Sequence, residues 1–165
     1  MTRITALVIG IALALPVSAA AEPATFTLRV LTPETALRAA QAALGKCRSQ
    51  DYQVAVAVVD RMGVVQVVLR DRFAGPHTVE TAANKGWTAV SLRLSTLALA
   101  EETQAGKAAS GVRHLPRFVA VGGGVPVEAG GSLLGAVGVS GAPSGIADDA
   151  CARAGIDAIR DSLEF

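Results

Sequence analysis

The chain carries almost no excess of charge and few residues that ligate metals. Its 165 residues include 15 Lys and Arg against 14 Asp and Glu, a formal net charge of +1. Such a balanced chain has no basic field to attract nucleic acid or an anionic membrane, so we exclude both as partners. It has only two histidines and two cysteines, and their spacing argues against a zinc site.

The sequence also lacks the short motifs that identify common enzymes: Gly-x-Ser-x-Gly, HExxH, a P-loop and a dinucleotide-binding fingerprint. Gly122-Gly123-Gly124 resembles an anion-binding nest, but it leads into Val-Pro, and a plain glycine turn accounts for it. The best-placed carboxylates, Asp60 and Asp71, stand at predicted strand ends without an evident histidine partner. No enzymatic mechanism follows from these residues.

Residues 1–21 have the pattern of a cleaved secretory signal. Arg3 precedes an apolar run from Ala6 to Leu15, which is shorter than the about 20 residues that a membrane-spanning helix needs. Ala19-Ala20-Ala21 then supplies the small residues of a cleavage site. We therefore expect a periplasmic or secreted mature chain, residues 22–165, without a membrane span. The low net charge and the 51% hydrophobic content of the full chain favour a homo-oligomer.

The mature chain is the size of one domain, and its hydrophobic patterns predict the order β-α-β-β-α-α-β-β-α. Hairpins dominate this order, so we expect the α+β class, with a mostly antiparallel sheet flanked by helices. Predicted strands are Thr25–Leu28, Val54–Val59, Val64–Leu69, Phe118–Val121 and Leu133–Ser140, and predicted helices start near Pro33, Thr78, Ser95 and Ile146. Gly135 and Gly138, inside the last strand, predict a backbone that a helix or a ligand approaches closely.

Cys47 and Cys151 are the two cysteines of the mature chain. An even count in an oxidising compartment predicts a disulfide. It would join the end of the first helix to the last helix. Two buried free thiols are the alternative.

His77 and His114 are the candidate neutral nitrogen ligands. His77 follows Gly75-Pro76 at a predicted helix start, with Thr78 as the expected cap. A rigid, partly exposed histidine of this kind suits an axial ligand of haem iron. Basic residues that could pair with haem propionates include Arg72, Lys85 and Arg113, and Trp87 could cover a porphyrin face. The alternatives are that the two histidines are plain surface residues, that the basic residues are solvated charges, and that Trp87 belongs to the core.

An ordered set of motifs resembles the GlcG/HbpS family of haem-binding proteins. The motifs are Val58-Val59-Asp60-x-x-Gly63, Arg70-Asp71, Lys85-Gly86-Trp87-Thr88-Ala89, Gly122-Gly123-Gly124-Val125-Pro126 and Gly135-Ala136-Val137-Gly138-Val139-Ser140-Gly141. The resemblance spans about residues 29–163. It implies a profilin-like fold with a five-stranded antiparallel sheet, assembly into dimers or larger oligomers, and haem binding. It also points to the segment Gly75-Pro76-His77-Thr78 as part of the site.

These observations together favour an exported haem-binding protein that stores, presents or senses haem, with His77 as the axial ligand. Weak haem-dependent peroxidase or haem-degrading activity is a secondary expectation. One rival is an accessory protein that binds a partner enzyme without haem. Another is a binder of a small carboxylate or a corrinoid that uses the segment Gly122–Pro126.

Overall fold

The computed structural model describes residues 22–163, and the predicted signal lies outside them. In this part the strands come in two antiparallel hairpins separated by helices, as expected for the α+β class. In chain order they are α1 (Pro33–Arg48), β1 (Ala55–Asp60), β2 (Val65–Arg70), α2 (Thr78–Leu92), α3 (Thr96–Glu102), β3 (Gly124–Ala129), β4 (Ser132–Ser140) and α4 (Gly145–Asp157). Short 3₁₀ turns lie between α3 and β3 (Ser110–His114) and after α4 (Arg160–Leu163). Within residues 22–163, none of the helices has the length and apolarity to cross a membrane.

The sheet is antiparallel with the strand order β2-β1-β4-β3, so β1 and β4 are central. Helices α1 and α4 cover one face and α2 covers the other. Strand β1 serves both faces because its side chains alternate: Val56 and Val58 join the core beneath α1 and α4, while Ala55 and Ala57 pack against α2. This double coverage explains why β1 is apolar throughout.

The structure corrects the expected five-stranded sheet, because residues 22–163 contain four strands. The predicted strand Thr25–Leu28 pairs with none of them, and Phe26 is 82% exposed. Phe118–Val121 also lies outside the sheet, and the N–H of Val119 donates to Thr88 Oγ1 at 3.1 Å. A short alternating or apolar run in extended chain looks the same as a strand, so the pattern alone could not exclude these two segments.

Strand β3 begins at Gly124, the last glycine of the predicted glycine turn, and it includes Pro126. Pro126 lies opposite Ala136 of β4 in the register. Proline has no N–H to give to a ladder, and it is tolerated on an edge strand where that side faces away from the neighbour. Because β3 is an edge of the described sheet, Pro126 does not interrupt it.

Two predicted features that join elements are confirmed. Cys47 and Cys151 form a disulfide between α1 and α4, with their Cα atoms 5.6 Å apart. Gly138 lies directly beneath α2, and a methyl group added at Gly138 would be 2.0 Å from the carbonyl oxygen of Ala82. The sheet therefore holds α2 at backbone contact distance, which fixes where the start of α2 lies.

Candidate functional site

A groove of about 630 Å³ lies beside the N-terminal ends of α2 and α4. The first turns of α2 form part of its lining, and the loop between β4 and α4 forms another part. The groove is mixed in character, with aromatic and aliphatic side chains beside polar ones. Its lining includes Tyr52, Phe73, His77, Thr78, Lys85, Val121, Ala142, Ser144 and Asp148.

His77 is the residue that precedes the first turn of α2, and its side chain is exposed at the groove. We expected Thr78 to cap the helix, but His77 holds the cap position and makes no side-chain capping bond. The buried Thr78 hydroxyl donates instead to the carbonyl oxygen of Gly75 at 2.7 Å. The Thr81 hydroxyl donates to the carbonyl oxygen of His77 at 2.9 Å. The backbone on both sides of His77 is therefore fixed.

The imidazole of His77 folds back over Gly75. A methyl group added at Gly75 would lie 2.8 Å from Cε1 and 3.0 Å from Nδ1 of this ring. The next nearest atom is Cγ2 of Thr78 at 3.8 Å, so Nε2 lies farther away than that. A side chain at position 75 would displace the ring, and glycine leaves room for it beside the groove.

A buried ion pair lies beneath the groove. Lys85 Nζ donates to Asp148 Oδ2 at 2.7 Å and to the carbonyl oxygen of Val139 at 2.9 Å. The two charged side chains are 2% and 5% exposed. Burial lowers the pKa of Lys85, and the attraction of Asp148 opposes this shift. Burial likewise raises the pKa of Asp148, against the effects of Lys85 and of the N–H groups of Ala142 and Gly141.

The structure brings three of the sequence-predicted site residues together, since His77, Thr78 and Lys85 all line the groove. Lys85 is not a solvated charge. Arg72 is exposed in an adjoining depression, which shares Gln53 and Phe73 with the groove. Its guanidinium group is thus near one end of the groove without being among the lining residues.

The other three predicted residues lie elsewhere. Trp87 is half-buried, with Phe118 against its edge and the guanidinium of Arg117 4.5 Å from its ring centroid. Arg113 donates to the carbonyl oxygens of Thr103 and Ala100 at 2.7 and 2.8 Å. His114 is exposed on the 3₁₀ turn. None of the three is among the residues that line the described groove.

The two carboxylates considered for acid–base chemistry have structural partners. Asp60 Oδ1 accepts the N–H groups of Met62 and Val64 at 2.8 and 2.9 Å, which closes the β1–β2 turn. Asp71 is 3% exposed, and Arg48 Nε donates to it at 2.7 Å. These contacts account for both residues within the fold.

Sequence reasoning missed Asp148 and Ser144. Ser144 caps α4, because its hydroxyl accepts the N–H of Ala147 at 3.2 Å. Asp148 lies in the first turn of α4, where a carboxylate is favoured by the helix dipole. A Ser followed by acidic residues within one turn was the available signal. The contact of Asp148 with Lys85, 63 residues away along the chain, has no local signal.

The sequence and the fold of this chain are similar to those of known proteins. Residues 31–157 match the family model described as haem degrading protein HbpS-like. The chain belongs to the HbpS-like family. The HbpS double mutant of Streptomyces reticuli is 39% identical, with a TM-score of 0.76 over 87% of this chain and 96% of that one. A PduOC complex with haem is 30% identical, with a TM-score of 0.73 over 79% and 95% of the two chains.

A curated relative of this HbpS-like chain is a much longer protein. The corrinoid adenosyltransferase PduO of Salmonella typhimurium is 34% identical over 103 residues, which make up 61% of this chain. The match spans only 31% of that enzyme. The relationship therefore concerns one part of PduO.

Proposed function

We propose that this HbpS-like chain binds haem in the groove beside α2, with His77 as the axial ligand. The observation that carries the proposal is the exposed imidazole of His77, held by fixed backbone at the edge of a groove of about 630 Å³. Pockets of about 300–1,000 Å³ are typical of small-molecule and cofactor sites. The family and the haem-bound relative support the choice of ligand.

The described residues fit the needs of haem. Haem iron takes a neutral histidine nitrogen, and Nε2 of His77 lies away from Gly75, with no bond from this side chain to the helix start. Phe73 is 79% exposed beside His77 and supplies an apolar surface. Arg72, exposed at the adjoining depression, is a candidate for a propionate contact. Lys85 contributes differently from our first expectation, because it neutralises Asp148 below the groove.

When bound, haem would supply redox and oxygen chemistry, and the protein would supply one ligand, a binding surface and access. We infer that the chain stores, presents or senses haem, and that any peroxidase-like or haem-degrading activity is secondary. Trp87, Arg113 and His114 have no part in this proposal, since they lie away from the groove. The second candidate ligand, His114, serves as the control.

We also propose that the protein is exported and self-associates. The sequence of residues 1–21 supports export, and the Cys47–Cys151 bridge suits an oxidising compartment. Val65 and Val68 of edge strand β2 are 42% and 40% exposed, and Met62 and Val64 in the adjoining turn are 69% and 63% exposed. An apolar edge of this kind favours contact with another subunit or a partner protein. N-terminal sequencing of the exported protein should find Glu22 as its first residue.

The test of haem binding is a titration of residues 22–165 with haemin, followed at the Soret band, alongside His77→Ala and His114→Ala. We expect a saturable band at fixed stoichiometry that His77→Ala removes and His114→Ala leaves unchanged. A band indifferent to both substitutions would exclude His77 as the ligand. No saturable band at all would exclude haem binding and favour the hypothesis of an accessory protein that binds a partner enzyme without haem.

A further inference from the structure

The buried pair of Lys85 and Asp148 joins the two helices whose starts flank the groove. Lys85 lies on α2, eight residues after His77, and Asp148 lies in the first turn of α4. Lys85 Nζ also donates to Val139 of β4 at 2.9 Å. One ammonium group thus connects α2, β4 and α4 directly beneath the groove.

The second oxygen of Asp148 holds the loop that lines the groove. Its Oδ1 accepts the N–H of Ala142 at 2.9 Å. The loop in turn lies against α2, because a methyl group added at Gly141 would be 3.4 Å from Cγ2 of Thr78. The contacts therefore connect Lys85 through Asp148 and the loop to Thr78, which is next to His77 on the same helix as Lys85.

Stability alone does not explain this pair. Removing two charges from water is unfavourable, and apolar residues of similar size often stabilise a fold as well as a buried ion pair does. Both side chains line the groove, although each is almost completely covered. What the charged pair supplies, and an apolar pair would not, is an acceptor for the N–H of Ala142 at a fixed position.

We propose that Lys85 and Asp148 are a positioning pair, which sets the distance between His77 and the 141–144 loop and thereby determines the affinity for haem. The inference rests on the proposed function, since it concerns the same groove. Residues that orient a metal ligand without touching the metal typically change affinity by about 10–100-fold when they are substituted. We expect an effect of that size.

The first test compares Asp148→Asn with Asp149→Asn. Asp149 is a matched control: it is on the same helix, both residues are 3% exposed, and Asp149 pairs with Arg153 instead of lining the groove. Haemin titrations at a temperature where both variants are folded should show at least about tenfold weaker binding and an altered Soret band for Asp148→Asn. Asp149→Asn should bind as the unsubstituted protein does. Equal weakening by both, or by neither, would overturn the proposal.

A second variant separates positioning from stability. Lys85→Met combined with Asp148→Leu removes both charges together, so no buried charge is left unpaired. We expect this double variant to unfold near the midpoint of the unsubstituted protein and still to bind haemin more weakly. Unchanged haemin affinity in this variant would contradict the proposal, because the acceptor for Ala142 is gone.

A measurement without haem distinguishes failure of the pair from failure of the proposed function. Amide hydrogen exchange at Ala142 and the ring NMR signals of His77 report the two sides of the groove. Asparagine offers one acceptor oxygen to two donors, Lys85 Nζ and the N–H of Ala142, so Asp148→Asn should accelerate exchange at Ala142 and shift the His77 signals. Asp149→Asn should do neither. If the unsubstituted protein binds no haemin but this result holds, the positioning of the groove stands and its ligand is a different one. If Asp148→Asn and Asp149→Asn show the same exchange rate at Ala142 and the same His77 ring signals, the pair does not position the groove.

Discussion

At the scale of single residues, glycine determines how closely α2 approaches the sheet. Gly138 of β4 lies under the carbonyl oxygen of Ala82, and Gly86 of α2 lies against the side chain of Val59. Larger residues at these positions would lift α2 and move His77 with it. The groove thus depends on positions that do not line it.

Gly138→Ala is expected to destabilise the fold, because the added methyl group would be 2.0 Å from a backbone oxygen. Overpacking of this kind lowers the free energy of unfolding by about 1–3 kcal/mol or more. Urea denaturation measures the change. Gly45→Ala, in α1, is the control: nothing lies within 4 Å of the added methyl group, and alanine should stabilise the helix by about 0.5–1 kcal/mol. Equal midpoints for the two variants would contradict the close contact.

Local signals explain which site residues could be predicted from the sequence. The position of His77 followed from Gly75-Pro76 and the start of a helical pattern, all within a few residues. The burial of Lys85 could not be predicted, because its partners Val139 and Asp148 are 54 and 63 residues away along the chain. A lysine between apolar residues of a helix looks the same whether its ammonium group meets water or a buried carboxylate.

At the scale of elements, α4 contributes to the groove through its first turn. Ser144 caps the helix and also lines the groove. Ser95 caps α3 with the same geometry, its hydroxyl accepting the N–H of Ala98 at 3.2 Å, but it does not line the groove. The two serines therefore allow capping to be separated from binding.

Ser144→Ala and Ser95→Ala should each lower the free energy of unfolding by about 1 kcal/mol, since each removes an N-terminal cap. Only Ser144→Ala should also weaken haemin binding, because the start of α4 frays at the groove. Thermal unfolding and Soret titration of both variants test this. An unchanged haemin affinity in Ser144→Ala would show that the groove tolerates a frayed α4.

The predicted elements differ in accuracy for a physical reason. Strands β1, β2 and β4 agree with the sequence patterns to within a few residues, and the four described helices start within a residue or so of the predicted positions. Strand β3 does not agree with the sequence pattern, because its glycines and Pro126 are typical of turns. Its position is set by pairing with β4 and by the close approach of Gly124 to Lys85, where an added methyl group would be 2.3 Å from the carbonyl oxygen. Such contacts between distant segments override local preference.

At the scale of the whole molecule, the disulfide joins the two helices that share one face of the sheet. Cys47 and Cys151 are separated by 104 residues, and both are completely buried. Their surroundings are mainly small residues, which let α1 and α4 pack closely: a methyl group added at Gly155 would be 2.6 Å from the carbonyl oxygen of Ala39. The bridge thus encloses most of the domain in one covalent loop.

Replacing both cysteines by alanine should lower the free energy of unfolding by about 5 kcal/mol, as the chain-entropy account gives for a loop of this size. Urea denaturation of the oxidised protein and the double variant measures the difference. Adding a reductant should lower the midpoint of the unsubstituted protein and leave the double variant unchanged. If the reductant lowers both midpoints, its effect does not come from this bridge.

The separation of the two cysteines also fixes an order of events in the life of the chain. Cys151 is made 104 residues after Cys47, so the first thiol waits while nearly the whole domain is synthesised. During that interval Cys47 has no partner within its own chain, and its thiol can exchange with disulfides of other molecules. The native pairing therefore cannot form before nearly the whole domain has been synthesised.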